Sequence, residues 1–371
     1  MKHVTHGADE ARRVLLSLLS APPDDTESFR AAMTKVGRDP AAWQALIDTA
    51  GIHGVLGVIS HHPTFAEHLP NAFRPALDRR RAVEAMWHEQ QMAVLLDAVR
   101  VLHAADIAPC VLKGLPLAAR LYPDPSVRPS VDVDLLVRPA DLDRAVRALS
   151  KAGYRGDSTV AAAYLRQRAH HLRFAKPHMP TVELHFHAYS GFGVVIPAAM
   201  LMDRAVEHRV VNTLDVLVPA PEDEVIYLAV HAAGHSFIRL LWLYDLKLLL
   251  RRFPSLNWND IGGRAEVCGV SNPLAYTTAV LREWLAVSMG PLPERLGRKG
   301  VRARLANRLL SEVSMPQPTS VRDKLGGLLF KSLLCDRLTS SAWLLQHHLL
   351  RMLKRRLERM APGYLPERWS A

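Results

Sequence analysis

The stretch IAPCVLKGLPLAARLYPDPSVRPSVDVDLLV, residues 107–137, decides the fold of this chain. Its first part predicts a short strand over 109–112, followed by a tight turn at Lys113 and Gly114 that opens a helix. Pro116 suits the first turn of that helix, because a proline's missing N–H has no partner there in any case. A glycine turn at a helix start offers backbone N–H groups and a positive dipole to phosphate. Lys113 and Gly114 are therefore candidate phosphate-binding residues.

The end of the same stretch predicts a strand that carries two carboxylates. Side chains alternate along a strand, so Asp132 and Asp134 leave the same face of a strand over 131–137. Val131 and Val133 are expected to enter the core. Two like charges on one face repel, and a divalent cation between them is the usual compensation. Two solvated aspartates on an exposed edge remain an alternative, but the preceding glycine turn favours a magnesium-dependent phosphate site.

A later alternating run supplies a third carboxylate. Residues 171–175 and 181–187 predict a hairpin, and Glu183 lies on the polar face of its second strand together with His185 and His187. Three carboxylates on neighbouring strands can hold two metal ions. One ion would activate an incoming hydroxyl, and the other would neutralise a pyrophosphate leaving group. The two histidines could position substrate or orient Glu183, or this face could simply be open to water.

Helical periodicity occupies most of the remaining chain. We expect a helical N-terminal region over 1–95, a core with the alternating segments over 96–220, and a helical C-terminal region over 221–371. The predicted fold class is α/β (α+β), a small mixed sheet flanked by helices. In the N-terminal part, helices are predicted over 8–20, 26–36, 41–60 and 65–105. A last predicted helix carries a basic run at Arg351, Lys354, Arg355, Arg356 and Arg359. This run could be a solvated face, bind an acidic acceptor or nucleic acid, or attach to a membrane surface.

Composition narrows the class of protein. The chain has 371 residues, 49% of them hydrophobic and 22% charged, which indicates a globular protein. Its net charge of +11 favours anionic partners such as nucleotides, or reflects only a solvated basic surface. Cys110, Cys268 and Cys335 show no metal-ligand spacing, and their odd number suits a reducing cytoplasm. No apolar segment reaches the length of a membrane span.

Three further polar residues lie in predicted helices beyond the sheet. His231 and His235 are four positions apart and share a helix face. They could hold zinc with a third ligand, contact nucleotide or acceptor, or only pack and form hydrogen bonds. Asp245 lies among apolar neighbours and needs a partner, for which Arg239 and His235 are the candidates.

A family resemblance adds to this interpretation and covers roughly residues 80–255. It is carried by Leu112-Lys113-Gly114, Leu121-Tyr122, Arg128, the DVDLLV block at 132–137, Gly153-Tyr154, Glu183-Leu184-His185, 228–235 and 240–246. These blocks resemble the uncharacterised bacterial nucleotidyltransferase family, which belongs to the DNA polymerase beta-like nucleotidyltransferase superfamily. The Lys-Gly and Asp-x-Asp blocks are the specific part of the likeness.

The resemblance implies that Asp132 and Asp134 bind magnesium and a nucleoside triphosphate. Glu183 takes the third-carboxylate position and helps to activate the acceptor hydroxyl. Most of the superfamily has Gly-Ser at the phosphate-facing turn, where this chain has Lys113 and Gly114. Lys113 could replace the serine as a point charge on the triphosphate, or it could point away. Glutamate at the third position, where aspartate is more usual, moves that carboxylate outward by one methylene.

The sequence therefore predicts a nucleotidyltransferase that moves a nucleoside monophosphate from a nucleoside triphosphate to a hydroxyl-type acceptor. Two Mg²⁺ ions and the release of pyrophosphate are part of this prediction. The predicted nucleotide-binding residues are Lys113, Gly114, Arg128 and His185, although Arg128 could instead only balance local negative charge. The alternatives are a non-catalytic nucleotide- or peptide-binding protein on the same fold, and a metal-dependent phosphotransferase or phosphohydrolase.

The acceptor and the preferred base stay open at this stage. A small molecule, a natural-product peptide and a protein are all compatible with the pattern. Nucleic acid is possible but not favoured, because the chain lacks a glycine-rich or aromatic-rich nucleic-acid-binding module.

Overall fold

The computed structural model describes residues 2–22, 25–156, 170–211, 214–287, 321–337, 339–342 and 344–346. The fold is mixed α/β, as predicted, with a seven-stranded mixed sheet, a two-stranded sheet and helices before and after them in the chain. The basic run predicted for the last helix lies outside the described residues.

The helices before the sheet are, in chain order, α1 (Lys2–Ser20), α2 (Thr26–Val36), α3 (Pro40–Ile52), α4 (Leu56–His61), α5 (Pro63–His68) and α6 (Arg74–His103). The helices predicted over 41–60 and 65–105 are each interrupted. Gly54, with φ +71°, follows α3 and adopts a backbone conformation that a helix cannot continue. Pro70 follows α5, and the residue before a proline is kept out of the helical region.

The main sheet has the order β3-β4-β5-β2-β1-β9-β8. Its strands are β1 (Cys110–Val111), β2 (Asp132–Leu136), β3 (Arg155–Gly156), β4 (His171–Ala175), β5 (Thr181–His185), β8 (Val206–Val211) and β9 (Leu214–Val218). The second sheet pairs β6 (His187–Gly191) with β7 (Val194–Pro197). β2 runs parallel to β5 and antiparallel to β1, so the two predicted acidic strands are direct neighbours.

The other helices surround these strands. They are α7 (Gly114–Leu121), α8 (Leu142–Lys151), α9 (Ala198–Met202), α10 (Pro221–Gly234), α11 (Leu240–Arg252), α12 (Trp258–Cys268), α13 (Ser271–Leu285) and α14 (Val321–Leu334). None of the helices among the described residues combines the length and apolar character that a membrane crossing requires.

Two details of the predicted strands are wrong. Val131 does not enter the core: it precedes β2 and is 64% exposed, whereas Val133 is buried. The strand predicted over 181–187 ends at His185. The amides of Phe186 and His187 both donate to the carbonyl of His170, which turns the chain out of the main sheet and into the second one.

Two hydrophobic cores hold the molecule together. One lies between the main sheet, α6 and α8, and includes Val99, Leu135 and Leu149. The other includes side chains from helices before the sheet, such as Leu15 and Trp43, together with side chains from helices after it. The three-region division of the chain stays a prediction, but its two helical regions share this second core.

Candidate active site

The pairing of β2 with β5 brings the predicted carboxylates to one face of the sheet. In the parallel register Asp134 lies opposite Glu183, and Asp132 lies two positions earlier on the same face. Since side chains alternate along β5, His185 shares the face of Glu183. On the other side of β5, His171 of β4 lies directly opposite His185. Two carboxylates of β2 thus meet one carboxylate and one imidazole of β5.

The turn after β1 directs a lysine onto this face. Lys113 and Gly114 both have positive φ, +23° and +62°, at the start of α7. The Lys113 Nζ lies 2.6 Å from Asp134 Oδ2 and 3.6 Å from Asp132 Oδ1. The ammonium therefore lies between the two aspartates, at the position where a cation compensates their charge.

Asp134 is the most buried of the three carboxylates, with 2% exposure. Besides Lys113, its carboxylate contacts His185, whose Nε2 lies 3.0 Å from Oδ1. Burial alone would raise the pKa of Asp134, but the charges and hydrogen bonds of Lys113 and His185 outweigh burial and hold it well below its usual value. Burial lowers the pKa of His185, but its contacts with Asp134 and Glu183 outweigh burial and raise it. Asp134 is therefore an ionised carboxylate with the Lys113 ammonium on one oxygen and the His185 imidazole on the other.

The pKa values of Asp132 and Glu183 shift in opposite directions. Burial and the neighbouring charge of Asp134 raise the pKa of Asp132 above its usual value. For Glu183 burial acts in the same direction, but the nearby imidazoles of His185 and His171 outweigh it and lower the pKa. The distances from Glu183 to the Nε2 atoms of His185 and His171 are 3.6 and 3.5 Å. Glu183 is thus an ionised carboxylate that can accept a proton.

The site has the donors that a divalent cation requires. Asp134, Glu183 and His185 each offer one ligand atom, and these atoms lie within 4.8 Å of one another. Asp132 adds a further carboxylate on the same face. Carboxylate oxygens are preferred ligands of Mg²⁺, so the residues present fit a magnesium ion once Lys113 gives up its position between the aspartates.

Arg128 is bound inside the protein. Its Nε donates to Asp245 Oδ1 at 2.9 Å and its Nη2 to Oδ2 at 2.7 Å, and the Tyr122 hydroxyl donates to Oδ1 at 2.7 Å. The partners predicted for Asp245, Arg239 and His235, are thus wrong, because Arg128 and Tyr122 bind both of its oxygens. The predicted contact of Arg128 with nucleotide stays a prediction, since its buried guanidinium is engaged by Asp245.

His231 and His235 pack against an aromatic residue. Their ring centroids are 4.8 Å apart, and each lies about 5 Å from the ring of Trp242, at 4.9 and 5.0 Å. Within the described part of the chain, the groups of residues close enough to share a metal ion include neither histidine. This arrangement supports the packing interpretation of the pair.

Two histidines beside the site were not selected from the sequence. His171 begins β4 and His170 precedes it, and their rings lie 5.0 and 5.4 Å from the ring of His185. The available signal was the predicted hairpin, because an antiparallel partner of the strand that carries His185 places its first residues beside the last residues of that strand.

The comparison with protein families places this chain among the nucleotidyltransferases. The model of a family described as uncharacterised nucleotidyltransferase matches residues 39–286, which is more than half of the chain. The chain belongs to this family, as its Lys-Gly and Asp-x-Asp blocks suggested, and nucleotidyl transfer is the general activity that the family supports. Among curated proteins, none shows significant similarity to the chain.

Proposed function

We propose that this protein transfers a nucleoside monophosphate from a nucleoside triphosphate to a hydroxyl-type acceptor and releases pyrophosphate. The observation that carries the proposal is the position of the Lys113 ammonium, 3.6 Å from Asp132 and 2.6 Å from Asp134. It marks a cation position on the face that also presents Glu183. Family membership supports the transfer of a nucleotidyl group.

Two Mg²⁺ ions held by Asp132, Asp134 and Glu183 would supply charge compensation for the triphosphate and activation of the acceptor hydroxyl. When the nucleotide binds, Lys113 moves from Asp134 to the triphosphate and acts there as a point charge. Gly114 contributes the start of α7, whose free N–H groups favour a phosphate. His185 keeps Asp134 in place through the hydrogen bond to Oδ1.

Glu183 is the proton acceptor in this proposal. Its pKa lies below the usual value, so the side chain is ionised and can take the proton of the acceptor hydroxyl. The hydroxyl oxygen forms a bond to the α-phosphorus while the bond from that phosphorus to the bridging oxygen breaks. The electron pair of the broken bond leaves with pyrophosphate.

The test is incubation of the protein with labelled ATP, GTP, CTP or UTP, Mg²⁺ and fractions of a cell lysate. Mass spectrometry then detects nucleotide adducts, and a coupled assay measures pyrophosphate. We expect adduct and pyrophosphate in equal amounts, and a loss of at least about 100-fold in Asp132→Asn and in Asp134→Asn. Asp203→Asn, which changes an exposed partner of Arg138, is the control. Wild-type turnover in both site variants would show the proposal to be wrong.

A binding protein without turnover is the second candidate. The ion pair of Lys113 with Asp134 favours it, because the carboxylates are already compensated without a metal ion. This candidate predicts nucleotide binding in calorimetry with no pyrophosphate release across many acceptors. A phosphohydrolase or phosphotransferase would instead transfer the terminal phosphate and leave no pyrophosphate.

A further inference from the structure

Three imidazoles lie together where β4 begins and β5 ends. One ring nitrogen from each of His170, His171 and His185 lies within 4.8 Å of those of the other two. His171 and His185 are direct partners across the two strands. The backbone of His170 is fixed, because its carbonyl accepts the amides of Phe186 and His187 at 3.0 and 3.4 Å. Two of the three residues therefore lie in paired strands, and the backbone of the third is anchored to the end of β5.

Two of these imidazoles combine a carboxylate on one nitrogen with a buried, unpartnered second nitrogen. The Nε2 atoms of His185 and His171 lie 3.0 Å from Asp134 and 3.5 Å from Glu183, respectively. The Nδ1 atom of each ring is buried and has no hydrogen-bond partner among the described residues. Buried polar atoms normally have a hydrogen-bond partner, so these two unpartnered nitrogens are candidate ligands for a bound ion.

The same arrangement is typical of histidines that bind a metal. A ligating histidine usually donates its other ring N–H to a carboxylate, which fixes the ring and raises the basicity of the ligating nitrogen. Asp134 has this relation to His185, and Glu183 lies 3.5 Å from the corresponding nitrogen of His171. Imidazole nitrogen suits Zn²⁺ and other first-row transition ions, whereas Mg²⁺ prefers oxygen.

We propose that His170, His171 and His185 bind a first-row transition-metal ion, with Zn²⁺ the best match, at a site adjacent to the proposed magnesium site. Zn–N bonds of about 2.0–2.1 Å need nitrogens roughly 3.4 Å apart. Two ring nitrogens of the cluster separated by 4.8 Å, the upper limit within it, would therefore have to approach each other by about 1.4 Å when the ion binds. Three protein ligands leave one tetrahedral position for water or a substrate atom. The bound ion would fix His185, and through it Asp134.

This proposal goes beyond nucleotidyl transfer, and its test needs no nucleotide. The full-length protein is treated with a chelator and titrated with Zn²⁺ by calorimetry, with Co²⁺ as a second probe whose visible spectrum reports nitrogen ligands. We expect one ion per chain in the wild type. Removal of a residue that only hydrogen-bonds to a metal ligand weakens metal binding by roughly 10–100-fold. Replacement of a ligand itself should weaken binding more. His170→Asn and His171→Asn should therefore bind at least about 100-fold more weakly.

The control is His178→Asn, which makes the same change in the exposed turn between β4 and β5. Circular dichroism checks the fold of each variant, and His171→Gln replaces His171→Asn if that variant is unstable. Asp132→Asn separates this proposal from the proposed function, because Asp132 is not in the histidine group and its variant should keep zinc while it loses transfer. Absence of zinc binding in the wild type, wild-type affinity in the two cluster variants, or loss of zinc in Asp132→Asn would each overturn the proposal.

Discussion

At the scale of single residues, two aspartates only two positions apart have opposite electrostatic surroundings. Asp134 is buried between Lys113 and His185, and its pKa is depressed. The side chain of Asp132 is 25% exposed, and its pKa is raised by burial and by the charge of Asp134. A cation that enters from solvent meets Asp132 first, and its arrival stabilises the ionised form of that carboxylate.

Replacement of Lys113 tests how strongly its ammonium compensates the charge of Asp134. In Lys113→Met the buried Asp134 loses its ammonium partner, so the free energy of unfolding should fall by about 3–5 kcal/mol. Mg²⁺ should bind more tightly in the absence of nucleotide, because the ammonium no longer competes for the carboxylates. Urea denaturation and calorimetry measure the two effects.

The matched control for that change is Lys176→Met. The Lys176–Asp97 pair has the same 2.6 Å separation as the Lys113–Asp134 pair, but its two side chains are 31% and 46% exposed. Such a pair contributes little to stability. Equal magnesium affinities in the wild type and Lys113→Met would contradict the competition between lysine and metal.

The role of Glu183 predicts a change in rate without loss of binding. Glu183→Gln cannot accept the proton of the acceptor hydroxyl, so kcat should fall by about 10²–10⁴-fold. Calorimetry should still detect magnesium-dependent nucleotide binding, since Asp132 and Asp134 remain. Glu207→Gln changes an exposed glutamate of β8 and should leave kcat unchanged. A kcat within a few-fold of wild type in Glu183→Gln would assign the proton to another group.

For single residues, the sequence predicted the face of the strand on which a side chain lies better than the contacts that the side chain makes. The alternation of β2 and β5 was sufficient to place Asp132, Asp134 and Glu183 on one face. The contact between Lys113 and Asp134 depends on the backbone conformation of Lys113, whose φ is +23°. The periodicity of the sequence does not predict this conformation. The exposure of Val131 depends on the residue at which β2 begins, and strand ends are the least defined part of a sequence pattern.

At the scale of elements, a buried ion pair joins the segment after α7 to α11. Arg128 donates two hydrogen bonds to Asp245, and both side chains are at most 4% exposed. Arg128→Met leaves the Asp245 charge buried with only Tyr122 beside it, so the free energy of unfolding should fall by about 3–5 kcal/mol in urea denaturation. Arg209→Met removes a similar two-bond pair to Asp215 on the surface and should have little effect. Equal losses in the two variants would show that burial does not set the strength of the pair.

A second link between elements is sensitive to pH. His53 is fully buried at the end of α3, and its Nδ1 accepts the amide of Leu240 at the start of α11. Burial, helped by the charges of Arg12 and Arg239, lowers the pKa of His53 to about 3, compared with about 6.5 in the unfolded chain. Between these values the unfolded state binds more protons, so this stability is present above pH 6.5 and is lost as the pH falls.

His53→Asn keeps an acceptor for the Leu240 amide but cannot titrate. Between pH 6.5 and pH 5 the free energy of unfolding of the wild type should therefore fall by roughly 2 kcal/mol more than that of the variant. Urea denaturation at the two pH values gives the comparison. Parallel losses in the two proteins would mean that His53 is charged in the folded state.

The predicted elements were mostly of the correct type, helix or strand. Their bounds were wrong where the chain interrupts a helix or ends a strand. The interruptions at Gly54 and Pro70 have visible causes in the sequence, and closer attention to both residues could have predicted them. The end of β5 could not be predicted in this way. It depends on hydrogen bonds from Phe186 and His187 to His170, which is distant in sequence.

At the scale of the molecule, the helices that precede the sheet and those that follow it belong to one core. Leu15, Leu18 and Leu19 of α1 are buried in the same cluster as side chains of α11 and α13. The family match begins at residue 39 and therefore leaves α1 and α2 out, although both contribute to this core.

Truncation at the start of the family match should expose that core. A chain of residues 39–371 loses the buried face of α1, so its Tm should fall and it should bind a hydrophobic dye that the full chain does not bind. Calorimetry and dye fluorescence measure the outcome. An unchanged Tm would mean that the matched region folds independently of α1 and α2.

The parallel pairing of β2 with β5 joins two parts of the chain that are distant in sequence. Asp134 and Glu183 are separated along the chain by α8, β3 and β4, and contacts that close such long loops form slowly. A nascent chain that ends before Thr181 has its two aspartates but lacks the strand that completes the site. A ligand that requires all three carboxylates binds the finished protein and not its precursors, and its binding energy then adds to the stability of the native state.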